Sequence, residues 1–136
     1  MDIAENIKNR WLAEARFFRA FYYFDLVRKY GDVPLILKVF NNTSDPDIKA
    51  RDSRETVIQQ CYKDLDFAAQ WLPDIDKLSD NTNWGRVSRS AALGMIVRIG
   101  LYEGTYIKYH NLTEGDSRTH LKKSIDAAEA MFKENK

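Results

Sequence analysis

The run from Glu14 to Pro34 limits the possible folds of this chain more than any other segment does. Between positions 17 and 27 only Arg19 and Asp25 carry charge, and Phe17, Phe18, Ala20, Phe21, Tyr22, Tyr23, Phe24, Leu26 and Val27 fill the remaining places. A helix written this way is apolar nearly all round, and such a helix is expected to be buried on several sides. It does not read as a membrane span, which takes about 18 or more apolar residues in sequence, because Arg16, Arg19, Asp25 and Arg28 interrupt it. The end of the helix is chemically specified. Gly31 stands where a left-handed, helix-ending residue is wanted, and Pro34 forces Val33 into extended backbone, so a strand-like arm is expected over 33–39.

Four helical segments organise the chain. The first is expected from Ile3 to Tyr30, with Ile7, Trp11, Ala15, Phe18, Tyr22 and Leu26 on one stripe and Phe17, Phe21, Phe24 and Val27 on the next. The second runs from Arg54 to Leu72 with a single apolar face through Val57, Ile58, Cys61, Leu65, Ala68 and Leu72. It is started by Asp52 or Ser53, with Glu55 placed as in a capping box, and stopped by Pro73. The third runs from Ser88, its N-cap, to Tyr109 and is apolar over most of its circumference. Gly94, Gly100 and Gly104 each weaken it by about 1 kcal/mol relative to Ala, which implies close approach by neighbouring helices or, at Gly104, a break. The fourth runs from Ser117 to Lys133, amphipathic through Leu121, Ile125, Ala128 and Phe132.

The stretch Asp64-Leu65-Asp66-Phe67-Ala68-Ala69-Gln70-Trp71-Leu72 echoes Ser124-Ile125-Asp126-Ala127-Ala128-Glu129-Ala130-Met131-Phe132, and each follows a helix that is apolar on all sides. A buried helix followed by an amphipathic one is the repeating unit of tetratricopeptide-like arrays. The strict period of about 34 residues is broken by the long polar connections 31–53 and 73–87. The expected architecture is therefore all-α, with tetratricopeptide-like paired antiparallel helices and long connecting loops, in one domain over 1–136.

Several function classes are disfavoured. Lys+Arg 21 against Asp+Glu 20 leaves a net charge of +1, with the basic residues scattered among acidic ones, so there is no footprint for nucleic acid or anionic lipid. Neither a phosphate loop nor a nucleophile elbow is written, and Cys61, on an apolar stripe, has no candidate base near it and reads as a buried thiol. His110 and His120 have no ligand-like spacing and read as surface histidines, so no metal and no cofactor are expected. Asp64 and Asp66 are placed on the solvated side of the second helix, where solubility explains them better than acid–base work.

The order Phe17-Phe18-Arg19-Ala20-Phe21-Tyr22-Tyr23-Phe24-Asp25-Leu26-Val27-Arg28-Lys29-Tyr30-Gly31-Asp32-Val33-Pro34 closely resembles the signature of the SusD/RagB family. These are surface lipoproteins of Bacteroidetes that capture glycans and deliver them to a SusC-type TonB-dependent transporter. Two further stretches resemble the same family in the same order: Asp52-Ser53-Arg54-Glu55-Thr56-Val57 with Asp64-Leu65-Asp66-Phe67-Ala68, and Gly85-Arg86-Val87-Ser88-Arg89-Ser90-Ala91-Ala92 with Arg98-Ile99-Gly100-Leu101-Tyr102. Glu103 departs from the pattern, since many relatives carry a small residue there. The resemblance implies a SusD-like α-α superhelix forming part of a larger, non-enzymatic protein of the outer membrane, held at the surface by a lipid anchor. Its partners would be an oligosaccharide or polysaccharide and the transporter. The opening Met-Asp-Ile-Ala-Glu-Asn-Ile-Lys carries neither signal nor anchor cysteine, which is expected if this is a segment of a longer precursor or the product of a truncated gene. The helix pairing alone would equally suit a general helical-repeat scaffold that binds a peptide or protein in a groove.

Glycan capture uses exposed aromatic faces beside planar amides and charged donors. Trp84, flanked by Asn83 and Arg86 in a polar loop, fits best; the competing arrangement folds Trp84 over the helix ends as a plug and pairs Arg86 with a helix carboxylate or carbonyls. Tyr106, Tyr109 and His110 form a weaker cluster that reads as packing at the edge of the core, and Trp11 and Trp71 read as core. Arg16, Arg19, Asp25, Gly31, Asp32 and Pro34 are assigned to structure. A charge set in an aromatic helix is costly unless paired, and Asp25 or Asp32 are the expected partners of Arg16 and Arg19.

Overall fold

A computed structural model describes residues 4–39, 50–78 and 83–134. Among the described residues four helices carry the fold: α1 Glu5–Tyr30, α2 Arg54–Trp71, α3 Arg89–His110 and α4 Ser117–Glu134, with one 3-10 turn, Ile75–Leu78, after α2. Their ends follow local chemistry. The Ser53 hydroxyl accepts from the Thr56 amide and opens α2, and the Ser88 hydroxyl accepts from the Ala91 amide and opens α3. Asp52, the other candidate cap, accepts instead from the Leu35 amide at 2.7 Å. At the end of α1 the Gly31 amide donates to Val27 O at 2.9 Å with φ at 73°, a conformation that favours glycine. The arm after Pro34 is tied to the start of α2: the Asp52 amide donates to Val33 O at 3.1 Å, while Val33 and Leu35 are buried.

The helices pack as α1 on α2 and α3 on α4, with α2 against α3 joining the pairs. Phe17, Ala20 and Phe24 of α1 meet Ile58, Cys61 and Leu65 of α2, and the core continues through Ile96 and Ile99 of α3 to Ala127 of α4. This is the paired-helix architecture expected from the sequence. Gly100 and Gly104 are where α4 comes closest: a Cβ at Gly100 would stand 2.6 Å from the His120 carbonyl oxygen, and one at Gly104 would stand 2.6 Å from Leu121. Gly104 therefore marks close approach and not a helix break. Gly94 has open space around it.

Two faces differ from expectation. The buried face of α1 runs through Ala13, Phe17, Ala20, Phe24 and Val27, whereas Ile7, Trp11, Phe18, Phe21, Tyr22 and Leu26 are exposed. Burial on several sides fails because only one side of α1 meets α2 and α3. The Trp11 stripe lies about 160° around the helix from Ala13, at about 100° per residue. In α4 the inward face carries His120, Ser124 and Ala127, which leaves Ile125 and Phe132 to solvent. At Gly100 the seam of α3 takes the His120 carbonyl and Ser124 at short range, which turns the neighbouring Ile125 outward.

Candidate functional site

Among the described residues, three ionic joints with a buried member tie the helices together. Arg19 donates from Nε to Asp64 Oδ2 at 2.7 Å and from Nη2 to Asp64 Oδ1 at 2.6 Å, a bidentate fork between α1 and α2. This corrects two expectations. Asp64 is 1% exposed and not on the solvated face, and the partner of Arg19 is neither Asp25 nor Asp32. Asp25 instead takes Arg28 and Lys29 of its own helix, whose hydrogen bonds lower its pKa, and Asp32 accepts from the Arg54 amide at 2.8 Å. Arg16 has its guanidinium 4.1 Å from the centre of the Phe67 ring, so the aromatic face of α2 meets this charge. Asp66 is exposed as expected and pairs with Lys123 of α4 at 2.7 Å.

In the second joint, Arg54 of α2 makes a fork with Glu103 of α3 at 2.7 and 2.8 Å while lying 4.1 Å over the Tyr106 ring. Burial works to lower the Arg54 pKa, but the hydrogen bonds and charge of Glu103 carry it above its ordinary value. Glu103, the departure from the family pattern, is thus a buried counter-ion. Tyr106 stacks on Tyr102 on one side and on His110 on the other, which makes this cluster the edge packing expected for it; Tyr109 is exposed.

In the third joint His120 is buried and not at the surface. Its Nε2 lies 3.0 Å from Glu55 Oε2 and its Nδ1 lies 2.8 Å from the Tyr62 hydroxyl. A carboxylate only accepts, so Nε2 carries the hydrogen toward Glu55, and in the neutral ring with that tautomer Nδ1 accepts from Tyr62. Burial, with the negative charge of Glu103, raises the Tyr62 pKa, so the hydroxyl keeps its proton. Glu55 is therefore the link to α4 and not the second half of a capping box. The Cys61 thiol is buried and faces the Ala20 carbonyl at 3.6 Å; burial, with help from Asp64 and Glu103, pushes its pKa from 9.0 up to about 12.

The loop before α3 carries the most exposed aromatic side chain among the described residues. Trp84 is 80% exposed, so it does not plug the helix ends, and it borders a cleft of about 330 Å³ lined by Ile75, Leu78, Gly85, Arg86 and Ser88. The loop is strapped to the start of α1. Arg86 forks onto Glu14 at 2.8 and 2.9 Å, as the helix-carboxylate reading expected, and Arg10 Nη2 donates to Asn83 Oδ1 at 2.6 Å. Arg10 and Glu14 are marked by no motif in the sequence. Their (i, i+4) spacing was visible, but the loop they hold lies more than 70 positions away. Trp11, expected in the core, is 56% exposed on the same stretch of α1, and Trp71 is half-buried.

Among the described residues no group of three or more His, Cys, Asp or Glu side chains could hold a metal ion, and no helix is long and apolar enough to cross a membrane.

Residues 3–101 match the SusD-like family model described as starch-binding and associating with the outer membrane. A SusD-like protein of Formosa agariphila is 32% identical over 106 residues, covering 76% of this chain and 20% of that protein. The crystal structure of a SusD-like protein from Bacteroides fragilis superposes with a TM-score of 0.75 at 27% identity, over 96% of this chain and 22% of that one. A laminarin-binding SusD-like protein superposes with a TM-score of 0.65 at 30% identity, over 77% of this chain and 22% of that one. The chain spans about a fifth of the length of the curated relatives it matches. With its aromatic α1 signature, its paired helices and a family match over most of its length, the chain belongs to the SusD-like family.

Proposed function

We propose that this chain is the helical scaffold of a non-enzymatic glycan-binding protein of the outer membrane, lipid-anchored at the surface and working with a SusC-type TonB-dependent transporter. The match of residues 3–101 to a starch-binding, outer-membrane-associated family carries this reading. The ionic joints support the scaffold role: Asp64, Glu103 and Glu55 are each engaged by a base of another helix, Arg19, Arg54 and His120. Trp84 with Asn83 and Arg86 is the candidate contact for sugar, an apolar face beside an amide and a guanidinium. The test is affinity electrophoresis of the chain through gels containing starch or laminarin, paired with an assay for released reducing ends. Retardation without release is the expected result; release of sugar would make the protein an enzyme, and no retardation in either gel would remove the glycan reading.

A second reading, a scaffold that binds a peptide or protein, draws on the exposed Phe18, Tyr22 and Leu26 stripe of α1. Cross-linking from Tyr22 in outer membranes separates the two uses. Recovery of the transporter supports the docking role, and recovery of an unrelated periplasmic or surface protein supports the general scaffold.

A further inference from the structure

In the packing order α1–α2–α3–α4 the outermost helices are α1 and α4, and they meet water differently. The outer side of α4 shows Arg118, Lys122, Asp126 and Glu129 beside Ile125 and Phe132, with Lys122 paired to Asp126. The outer side of α1 is apolar. At about 100° per residue, Ile7, Trp11, Phe18, Tyr22 and Leu26 fall within about 100° of arc, and Tyr22 lies about 180° from the buried Ala13. Between Lys8 and Asp25 the other residue on that arc is Ala15, so no charge interrupts the middle of a stripe about 28 Å long at about 1.5 Å per residue. The charged side chains at its margins are engaged elsewhere, Arg19 in its fork with Asp64 and Glu14 in its fork with Arg86.

We propose that the outer face of α1 is an interface within one larger polypeptide, covered there by an apolar face of the remaining chain. Burying this stripe takes no charge out of water along its middle, which removes the largest cost of covering a surface. Its size argues against a separate partner. With aromatic side chains burying about 150–250 Å² each, the exposed 47–63% of Trp11, Phe18 and Tyr22, together with Ile7 and Leu26, offers roughly 300–500 Å². A stable complex of separate molecules, a second copy included, buries about 800 Å² on each partner. A tethered segment needs less, because its effective concentration is on the order of mM. The relatives have the length to supply one: this chain matches 20% of the Formosa agariphila protein and 22% of the Bacteroides fragilis structure, so about four-fifths of each lies outside the match. The inference rests on the scaffold reading given above and is independent of its ligand. It gives the stripe an occupant inside the protein, in place of the separate peptide or protein of the second reading.

The test is maleimide labelling of Trp11→Cys, Phe18→Cys and Tyr22→Cys, each made in the 136-residue chain and in the full-length protein of the same gene, with the labelled site read by peptide mass spectrometry. The three positions lie on separate turns and are exposed, so a variant that melts below its parent is replaced by the other two. Labelling in urea gives the unprotected rate, and the buried Cys61 serves as the protected reference. The expected result is fast labelling in the 136-residue chain and labelling slowed by about tenfold or more in the full-length protein. Equal rates in the two overturn the proposal, as does a gene that encodes nothing beyond this chain. Protection that grows with the concentration of the 136-residue chain assigns the face to a second copy, and protection that needs added outer membranes assigns it to a separate partner; either result overturns the proposal. Protection in a full-length protein that fails to bind glycan strikes the glycan reading alone and leaves this interface standing.

Discussion

Asp64 shows how one buried charge governs local chemistry. Its carboxylate is nearly inaccessible, and the Arg19 fork with a third hydrogen bond from Gln60 replaces the water it lost. Removing one partner leaves the other uncompensated, so Arg19→Ala should lower the free energy of unfolding by about 2–4 kcal/mol in urea titration. Arg19→Met with Asp64→Leu together should recover much of that loss, since an apolar pair of similar volume avoids the desolvation cost. Cys61 makes a pH-dependent contribution. With its pKa raised from 9.0 to about 12, the folded chain keeps a proton that the unfolded chain releases. The folded state thus binds more protons between these values, and stability is full below about pH 9 and falls as pH rises toward 12. Cys61→Ala should flatten that slope when urea midpoints are compared at about pH 8 and about pH 10.5, whatever it does to the level.

At the scale of the helices, the α3–α4 contact depends on a side chain being absent. A Cβ at Gly100 meets the backbone oxygen of His120 at 2.6 Å and Ser124 Cβ at 2.9 Å, and neither can swing away as a flexible side-chain end would. Gly100→Ala is expected to destabilise by about 1–3 kcal/mol despite its gain in helix propensity. Gly94→Ala, in open space on the same helix, should stabilise by about 0.5–1 kcal/mol. Thermal melts of the two variants should therefore shift in opposite directions, and a rise for both would mean that α4 is less tightly seated. The α2–α4 link through Glu55, His120 and Tyr62 lies on the same side of the seam, so the small residues of α3 and the polar triad hold α4 jointly.

For the molecule as a whole, α1 carries two chemistries on one rod. Its inner side seals the core through Phe17 and Phe24, while its outer side presents Trp11, Phe18, Tyr22 and Leu26. A contiguous apolar face of this kind is a surface for association. Replacing Phe18 and Tyr22 together with Gln should leave unfolding free energy within about 0.5 kcal/mol of the parent and reduce self-association in sedimentation velocity runs at high concentration. Unchanged association would assign any self-contact to another face.

How much of this could be read in advance depends on how far apart the cooperating residues lie. Helix identity, the Ser53 and Ser88 caps, the Gly31 stop and the family signature are each written within a few neighbouring residues, where propensity, capping and backbone restriction act. The exposed face of α1 is not legible because an all-round apolar helix gives no sign of which side its neighbours leave uncovered. The burial of Asp64 is not legible in the sequence because its partner lies 45 positions away, nor that of His120 because Glu55 lies 65 away, nor the anchoring of the Trp84 loop because Glu14 lies 72 from Arg86. The chain's own order therefore determined four helices, their ends and their family. Which charges pair, which stripe faces water and where Trp11 and Trp84 stand were decided by packing, since those energies exist only once distant segments touch.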